Sequence, residues 1–126
     1  MKHYNPVLLP KVRSKLIMSA AKDMPCTLRV SSFVPSWFCA DRATTVACHM
    51  QSAGKGMSTK SSDLFVAFGC AHCHAIVDGV DRTACDYIEA HYPAAYAFRL
   101  MGAMQETQSL LVGLGLITGP GWEIIE

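Results

Sequence analysis

Residues 64–79 read LFVAFGCAHCHAIVDG, and this stretch decides the fold. Its first six residues form a short apolar run of the length that a buried β-strand has. A C-x-x-C motif, Cys70 and Cys73, follows at once, and Gly79 suits the C-terminal end of a helix that would begin at the motif. The stretch therefore predicts a strand that leads directly into a cysteine-bearing helix.

The C-x-x-C spacing allows two thiolates to reach one tetrahedral metal ion. Two further thiols would complete an all-cysteine site, and Cys26 and Cys39 are the natural candidates because a separation of thirteen positions lets the chain fold back. The sequence therefore predicts a structural zinc site formed by Cys26, Cys39, Cys70 and Cys73. The alternative is that these four are unliganded thiols of the protein core.

Two other interpretations of the motif compete with a zinc site. The string from Cys70 to His74 matches C-x-x-C-H, the attachment pattern of c-type haem, and a C-x-x-C near a βαβ pattern is typical of thioredoxin-like redox proteins. Haem attachment follows export, yet residues 1–16 hold only a three-residue apolar run and no signal peptide. We therefore expect a cytoplasmic protein with reduced cysteines. The uncharged stretch 107–122 is shorter than the roughly 20 residues that span a bilayer, so no membrane segment is expected.

Outside this stretch, the sequence predicts a mixture of helices and short strands. Strands are predicted at 27–34 and 44–50, where β-branched residues are enriched, and a polar loop rich in Gly, Ser and Lys follows. Helices are predicted at 11–22, 83–91 and about 93–113, the last with Pro93 as its first residue. The expected architecture is one α+β domain over 1–126, with a core at about 26–80 and a helical C-terminal extension at about 83–117.

Three polar residues point to chemistry on phosphate esters. His74 and Asp78 are four residues apart, so on a helix they share one face and can hold a single divalent cation. His49 ends a predicted strand just before the basic loop. An imidazole that takes a proton from water, beside a cation that neutralises a phosphate, is an arrangement suited to phosphodiester hydrolysis.

The net charge of +1 conceals an uneven distribution along the 126 residues. Residues 1–62 carry nine Lys or Arg against two Asp, while residues 63–126 carry two Arg against eight acids. A basic half favours a polyanionic partner. Lys55, Lys60 and Arg29 are the candidate phosphate contacts, which predicts salt-sensitive DNA binding with little sequence specificity. The sequence leaves a homodimer open.

Taken together, these segments resemble the HNH, or ββα-metal, endonucleases. The closer resemblance is to the small phage- and prophage-encoded nuclease family that includes YbcO. It is carried by Ala47-Cys48-His49, by GMSTKSSDL at 56–64, and by CAHCH at 70–74 with Asp78. The resemblance covers about residues 26–78 and extends more loosely into the C-terminal helix.

The resemblance implies a metal-dependent DNA endonuclease of phage or prophage origin that acts in DNA recombination or processing. It implies a small ββα-metal core with a zinc knuckle, preceded by an N-terminal helix and followed by a long C-terminal one. His49 would be the general base, and His74 with Asp78 would hold the catalytic Mg²⁺ or another divalent cation. The alternative is a zinc-stabilised DNA-binding or recombination accessory protein without catalysis.

Two positions depart from the HNH pattern. The Asn that usually orients the base falls at Phe65, and Asp63, two residues earlier on the same face of a regular strand, is expected to replace it as a catalytic residue. Many HNH enzymes place a metal-binding His or Asp directly before the base, where this chain has Cys48. Whether Cys48 is a ligand stays open.

Overall fold

The computed structural model describes residues 10–50 and 61–125, which form an α+β arrangement of four α-helices and one two-stranded antiparallel sheet. The basic loop with Lys55 and Lys60 lies outside the described residues. In chain order the elements are α1 (Lys15–Ser19), β1 (Val46–His49), β2 (Val66–Gly69), α2 (Ala71–Val77), α3 (Arg82–His91) and α4 (Pro93–Gly113). Short 3-10 turns occupy Ser31–Phe33 and Arg42–Thr44.

Strand β2 is the centre of the fold. All four of its residues are buried, and it pairs with β1 so that Val46 lies opposite Gly69 and His49 opposite Val66. Alternate β2 side chains enter two separate apolar clusters because successive residues of a strand point to opposite faces. Ala67 joins a cluster with Leu28, Val30, Ile76, Ile88 and Ala103, whereas Val66 and Phe68 join Ile17 and Leu111.

The predicted strand at 27–34 is wrong. Only its start contacts the sheet, where the amides of Thr27 and Leu28 donate to the Phe68 carbonyl at 2.8 and 3.1 Å. Arg29 then adopts a positive φ of 48°, and a 3-10 turn follows. The physical reason is that the next backbone amides turn toward cysteine sulfurs, so they are not available to a neighbouring strand.

The predicted helix at 11–22 is shortened to α1. Ser14 caps it, since its side chain accepts a hydrogen bond from the Ile17 amide. Residues 12–14 instead run beside the chain that leads into β2: the Asp63 amide donates to the Val12 carbonyl at 2.9 Å, and the Val12 amide donates to the Ser62 hydroxyl at 3.1 Å. These bonds to a distant segment compete with an earlier helix start.

The helices of the C-terminal half confirm the predictions. Helix α2 is capped by Cys70 and followed by Gly79 at a φ of 75°. Pro93 is at the start of α4, which packs against β2 and reaches the Thr27 hydroxyl through Thr107 at 2.8 Å in a buried contact. Over the residues that the structure describes, no helix combines the length and apolarity that crossing a membrane requires.

The close approach at Gly69 gives a stability prediction. A Cβ at this position would lie 2.6 Å from Leu28 Cδ1 and 2.8 Å from Cys48 Sγ. We expect Gly69→Ala to lower the free energy of unfolding by about 1 to 3 kcal/mol, the usual cost of overpacking a dense core. Chemical denaturation followed by circular dichroism measures this change.

Gly113→Ala is the matched control, because a Cβ there would meet nothing within 4 Å. It should leave the stability unchanged or raise it by up to about 1 kcal/mol, since Ala is the better helix former. Equal losses for the two variants would contradict the packing described at Gly69.

Candidate functional site

The four predicted cysteines come together. The Sγ atoms of Cys26, Cys39, Cys70 and Cys73 all lie within 4.8 Å of one another. Cys70 and Cys73 are buried at the start of α2, while Cys26 is half-buried and Cys39 is exposed. Two of the sulfurs, those of Cys39 and Cys73, are 3.8 Å apart. This equals the edge of a tetrahedron whose zinc–sulfur bonds are about 2.3 Å.

Backbone amides point at the sulfur atoms. Such donors favour the thiolate over the thiol because they stabilise negative charge on sulfur. The pairs are Arg29 to Cys26 at 3.4 Å, Ser31 to Cys73 at 3.4 Å, Ala40 to Cys70 at 3.3 Å and Cys73 to Cys70 at 3.5 Å. The backbone around the cluster is therefore arranged for anionic sulfur.

The cysteine pKa values show why a cation suits this cluster. The Cys73 thiol donates a hydrogen bond to Cys26, and this bond outweighs the effect of burial and lowers the pKa of Cys26 to about 4. The pKa of Cys73 is raised because its thiol donates this bond and is buried. Burial also raises the pKa of Cys39. One thiolate forms readily, but its neighbours resist a second negative charge. The four cysteines could therefore hold a metal ion such as zinc, whose charge would offset theirs.

His49 and Asp63 form the second part of the site. His49 Nε2 lies 2.8 Å from Asp63 Oδ1, and the other carboxylate oxygen accepts the Ser14 amide at 2.7 Å. Asp63 is only 4% exposed, and Arg13 Nη1 lies 3.9 Å from Oδ1. Burial raises the pKa of Asp63, but hydrogen bonds from His49 and Ser14 and the nearby charges outweigh it, so the pKa is lowered overall. Asp63 is therefore held as a carboxylate that accepts from the imidazole.

Asp63 contacts His49 from a local conformation that the sequence did not predict. Asp63 is not on a regular strand, because β2 begins only at Val66. It lies in a turn in which the Phe65 amide donates to the Ser62 carbonyl at 3.0 Å. The expectation of a shared strand face was wrong. Sequence reasoning also missed Ser14 and Arg13, whose contacts with Asp63 are long-range and leave no local signal.

His74 and Asp78 contact each other at the C-terminal end of α2, with His74 Nε2 2.7 Å from Asp78 Oδ2 and both side chains partly exposed. Asp78 and His49 line one groove of about 590 Å³. Its other lining residues are apolar or aromatic, namely Met50, Val77, Tyr96, Leu100, Met101 and Met104. Among residues 10–50 and 61–125, only the four cysteines form a group of three or more candidate ligands. The α2 pair thus offers two ligands, and water would complete a coordination shell.

Cys48 does not reach this groove. It is 3% exposed, and the Cβ contact at Gly69 places its sulfur against the inner side of the sheet. His49, its neighbour on β1, points to the opposite face. Burial raises the pKa of Cys48 to about 12, so the group stays a neutral thiol. The structure therefore places Cys48 in the core and outside the groove lining, yet near enough to Asp78 for that carboxylate's charge to raise the pKa of the thiol further.

Arg29 is engaged in an ion pair. Its Nη2 donates to both carboxylate oxygens of Glu106 at 2.9 and 3.0 Å, and Arg99 reaches the same carboxylate at 2.7 Å. Arg29 and Glu106 line a groove beside Cys26 and the C-terminal half of α4, which differs from the groove of His49. The other two predicted phosphate contacts, Lys55 and Lys60, fall outside the part of the chain that the structure describes.

Asp63 gives a prediction on pH. Because its folded-state pKa is lowered, its contribution to stability is present above its unfolded pKa of about 3.9 and is lost as the pH falls through the folded-state value. We expect Asp63→Asn to lower the free energy of unfolding at pH 7 by about 1.5 to 3 kcal/mol, the usual range for a hydrogen bond to a charged group. The difference from the wild type should shrink below pH 4, as measured by denaturation across pH.

Asp86→Asn is the control, since Asp86 is exposed and pairs with Arg82 at the surface of α3. It should change the stability little at either pH. A stability difference between wild type and Asp63→Asn that is the same at pH 3 and pH 7 would contradict the charged state assigned to Asp63.

Comparison with known proteins adds a family to this geometry. No curated protein and no solved structure matches the chain significantly. A family model matches residues 15–110, a span that includes the four clustered cysteines, His49, Asp63 and the α2 pair. Because the match covers about three quarters of the sequence, the chain belongs to the family described as "Putative nuclease YbcO".

Proposed function

We propose that the protein is a metal-dependent DNA endonuclease of the HNH, or ββα-metal, type. Membership of a nuclease family implies a nucleic acid as substrate. The observation that carries the finer proposal is that one groove is lined both by His49, held by a buried carboxylate at 2.8 Å, and by Asp78 of a partly exposed His–Asp pair. A general base on the same groove as one member of a cation-binding pair is an arrangement that suits phosphodiester hydrolysis.

The order of elements supports this type. The hairpin of β1 and β2 leads directly into α2, so the base is at the end of the first strand and the cation-binding pair is on the following helix. His74 comes one residue after Cys73, and its spacing from Asp78 puts both on one face of α2. The short sheet therefore positions His49, the proposed general base, and helix α2 positions the His74–Asp78 pair.

The chain's own residues account for the proton transfer. The Asp63 carboxylate accepts from Nε2 of His49, which leaves Nδ1 as the nitrogen that takes a proton from the attacking water. Asp63 also stabilises the imidazolium that results. The water oxygen bonds to phosphorus as the bond to the leaving oxygen breaks. A Mg²⁺ ion or another divalent cation bound at His74 and Asp78 would neutralise charge on the phosphate and the leaving oxygen.

The proposal assigns a structural zinc ion to Cys26, Cys39, Cys70 and Cys73. The distances within the cluster and the amides that point at its sulfurs fit a tetrahedral all-cysteine site. An ion there would fix the first turn of α2 to the segments that carry Cys26 and Cys39. It would thereby hold the α2 pair in place beside β1.

Further parts of the proposal rest on the sequence resemblance and on charge. They are phosphate contacts by Lys55, Lys60 and Arg29, a phage or prophage origin, a role in DNA recombination or processing, and a cytoplasmic location in which thiols stay reduced. Release of Arg29 from Glu106 would be needed for its contact. A homodimer stays a prediction.

The second candidate is a zinc-stabilised accessory protein that binds DNA without cleaving it. It is favoured by one observation: the α2 pair offers only two ligands, because Cys48 faces the core. In that case the groove would bind nucleic acid, and His49 would have no chemical role. The two candidates share the zinc centre and differ in cleavage.

A plasmid-nicking assay in Mg²⁺ or Mn²⁺ separates them. His49→Ala should lower the cleavage rate by about 100-fold or more, since general bases contribute roughly 10² to 10⁴ in rate. Asp78→Asn should lower it by weakening the cation site. His91→Ala is the control, because His91 is exposed at the end of α3, where its ring contacts the Tyr87 carbonyl and the Tyr87 and Tyr92 rings, and it does not line the groove of His49. Wild-type protein that binds DNA yet cleaves no faster than His49→Ala would establish the accessory function instead.

The zinc centre gives a second prediction. Metal analysis should find one zinc per chain, and removing it or substituting Cys70→Ser with Cys73→Ser should unfold the central region, because structural zinc contributes on the order of 10 to 16 kcal/mol. Cys85→Ser is the control, since Cys85 lies outside the cluster and donates to the Ile76 carbonyl, as a serine hydroxyl can. A melting temperature that is unchanged after complete zinc removal would contradict the structural site.

A further inference from the structure

Helix α4 supplies an apolar wall to the groove of His49. Tyr96, Leu100 and Met104 are spaced four residues apart and therefore share one stripe of the helix, and Met101 lies beside them. Met101 is 54% exposed, so part of this wall faces solvent. The polar lining groups, His49 and Asp78, come instead from β1 and the end of α2.

This wall offers few groups that bind a phosphate backbone. Phosphate oxygens are bound by Arg, Lys, hydroxyl and amide donors, and the described lining of the groove contains no Lys or Arg and, on α4, a single hydroxyl, that of Tyr96. A nucleobase differs, because it has an extended apolar face that packs on aromatic rings. Methionine sulfur also makes favourable contacts with aromatic rings. The chemistry of the wall therefore matches a base better than a backbone.

The groove has the size and the rigidity that a binding site for a nucleobase needs. Its volume of about 590 Å³ falls within the roughly 300 to 1,000 Å³ of sites that bury small organic groups. The Tyr96 ring is held edge-on against Phe33, with centroids 6.4 Å apart and planes at 70°. The Tyr96 phenol is neutral near pH 7, as an ordinary tyrosine is, and burial raises its pKa further. The wall thus offers an uncharged ring in a fixed position.

A nucleobase that lies in this groove cannot be stacked in a duplex at the same time. Extruding a base from a duplex costs a few kcal/mol, and the cost is least when the base is mismatched or already single-stranded. An enzyme that seats a base next to its reacting groups should therefore favour unpaired substrate.

We propose that the substrate class is single-stranded or locally unpaired nucleic acid, with the base next to the scissile phosphate seated against Tyr96, Leu100 and Met101. This inference rests on the proposed function, because His49 and Asp78 define where the scissile phosphate lies. It goes beyond that function by naming the state of the substrate and the surface that selects it.

The first test measures base binding without cleavage. A single-stranded oligonucleotide that carries the fluorescent base 2-aminopurine at successive positions is titrated with the zinc-loaded full chain and no added Mg²⁺. We expect a fluorescence change at one position, and about fivefold or more weaker binding for Met101→Gln, in line with the loss of one base contact. Phe98→Gln is the matched control, since Phe98 is 75% exposed on the same helix and does not line the groove.

The second test compares cleavage of the same strand alone and in a duplex. The single strand should be cleaved at least about tenfold faster, since tenfold corresponds to roughly 1.4 kcal/mol of the avoided unstacking cost. Met101→Gln should reduce this preference and Phe98→Gln should not. Equal cleavage of strand and duplex, with no fluorescence change, would overturn the inference and leave the nuclease intact. A fluorescence change without any cleavage would support the base site and contradict the nuclease.

Discussion

Four sulfur atoms gathered within 4.8 Å of one another are the constraint on which the rest of the structure depends. Four thiolates so close would repel one another, so all four could be charged only with a cation between them, and backbone amides turn toward the sulfurs. The segment after Cys26 does so with a positive φ at Arg29 and a 3-10 turn in place of a strand. The same cluster fixes the start of α2, which carries His74 and Asp78. The arrangement of the four cysteines and the position of the α2 pair are therefore linked in this fold.

The buried carboxylate of Asp63 is the second organising feature. It ties the N-terminal segment to the site through the Ser14 amide and holds the His49 imidazole from the other oxygen. Strand β2 lies between these two features, with one face toward the cysteine-containing cluster and the other toward α1 and the end of α4. A short two-stranded sheet can support the site because helices and loops cover both of its faces.

Local patterns predicted much of this arrangement. The C-x-x-C spacing, the i and i+4 relation of His74 to Asp78, and Pro93 at a helix start each depend on a few neighbouring residues. The structure has all three arrangements, while the roles of the cysteines, His74 and Asp78 as ligands stay predictions. The family resemblance was confirmed at the level of the nuclease family. Periodicity failed at 27–34, since β-branched residues favour a strand only where neighbouring strands can take their amides.

Long-range contacts account for what the sequence could not predict. Nothing near Asp63 indicates that Ser14 will donate to it, because 49 residues separate the two. The stripe of Tyr96, Leu100 and Met104 has the spacing of a core-facing helix, and such a pattern by itself favours packing. Only the three-dimensional structure shows that this stripe also lines the groove of His49. A hydrophobic stripe looks the same in sequence whether it meets a core or a ligand.

Catalysis of the proposed kind would depend most on a cation held beside His49 by the α2 pair. The most direct measurement is an NMR titration of the zinc-loaded protein with Mn²⁺, a paramagnetic ion that broadens the signals of nearby nuclei. We predict that the His49 and His74 ring signals broaden first, and that Asp78→Asn abolishes this selective broadening. Mn²⁺ that leaves the His49 ring unaffected, or that broadens it equally in Asp78→Asn, would contradict the account.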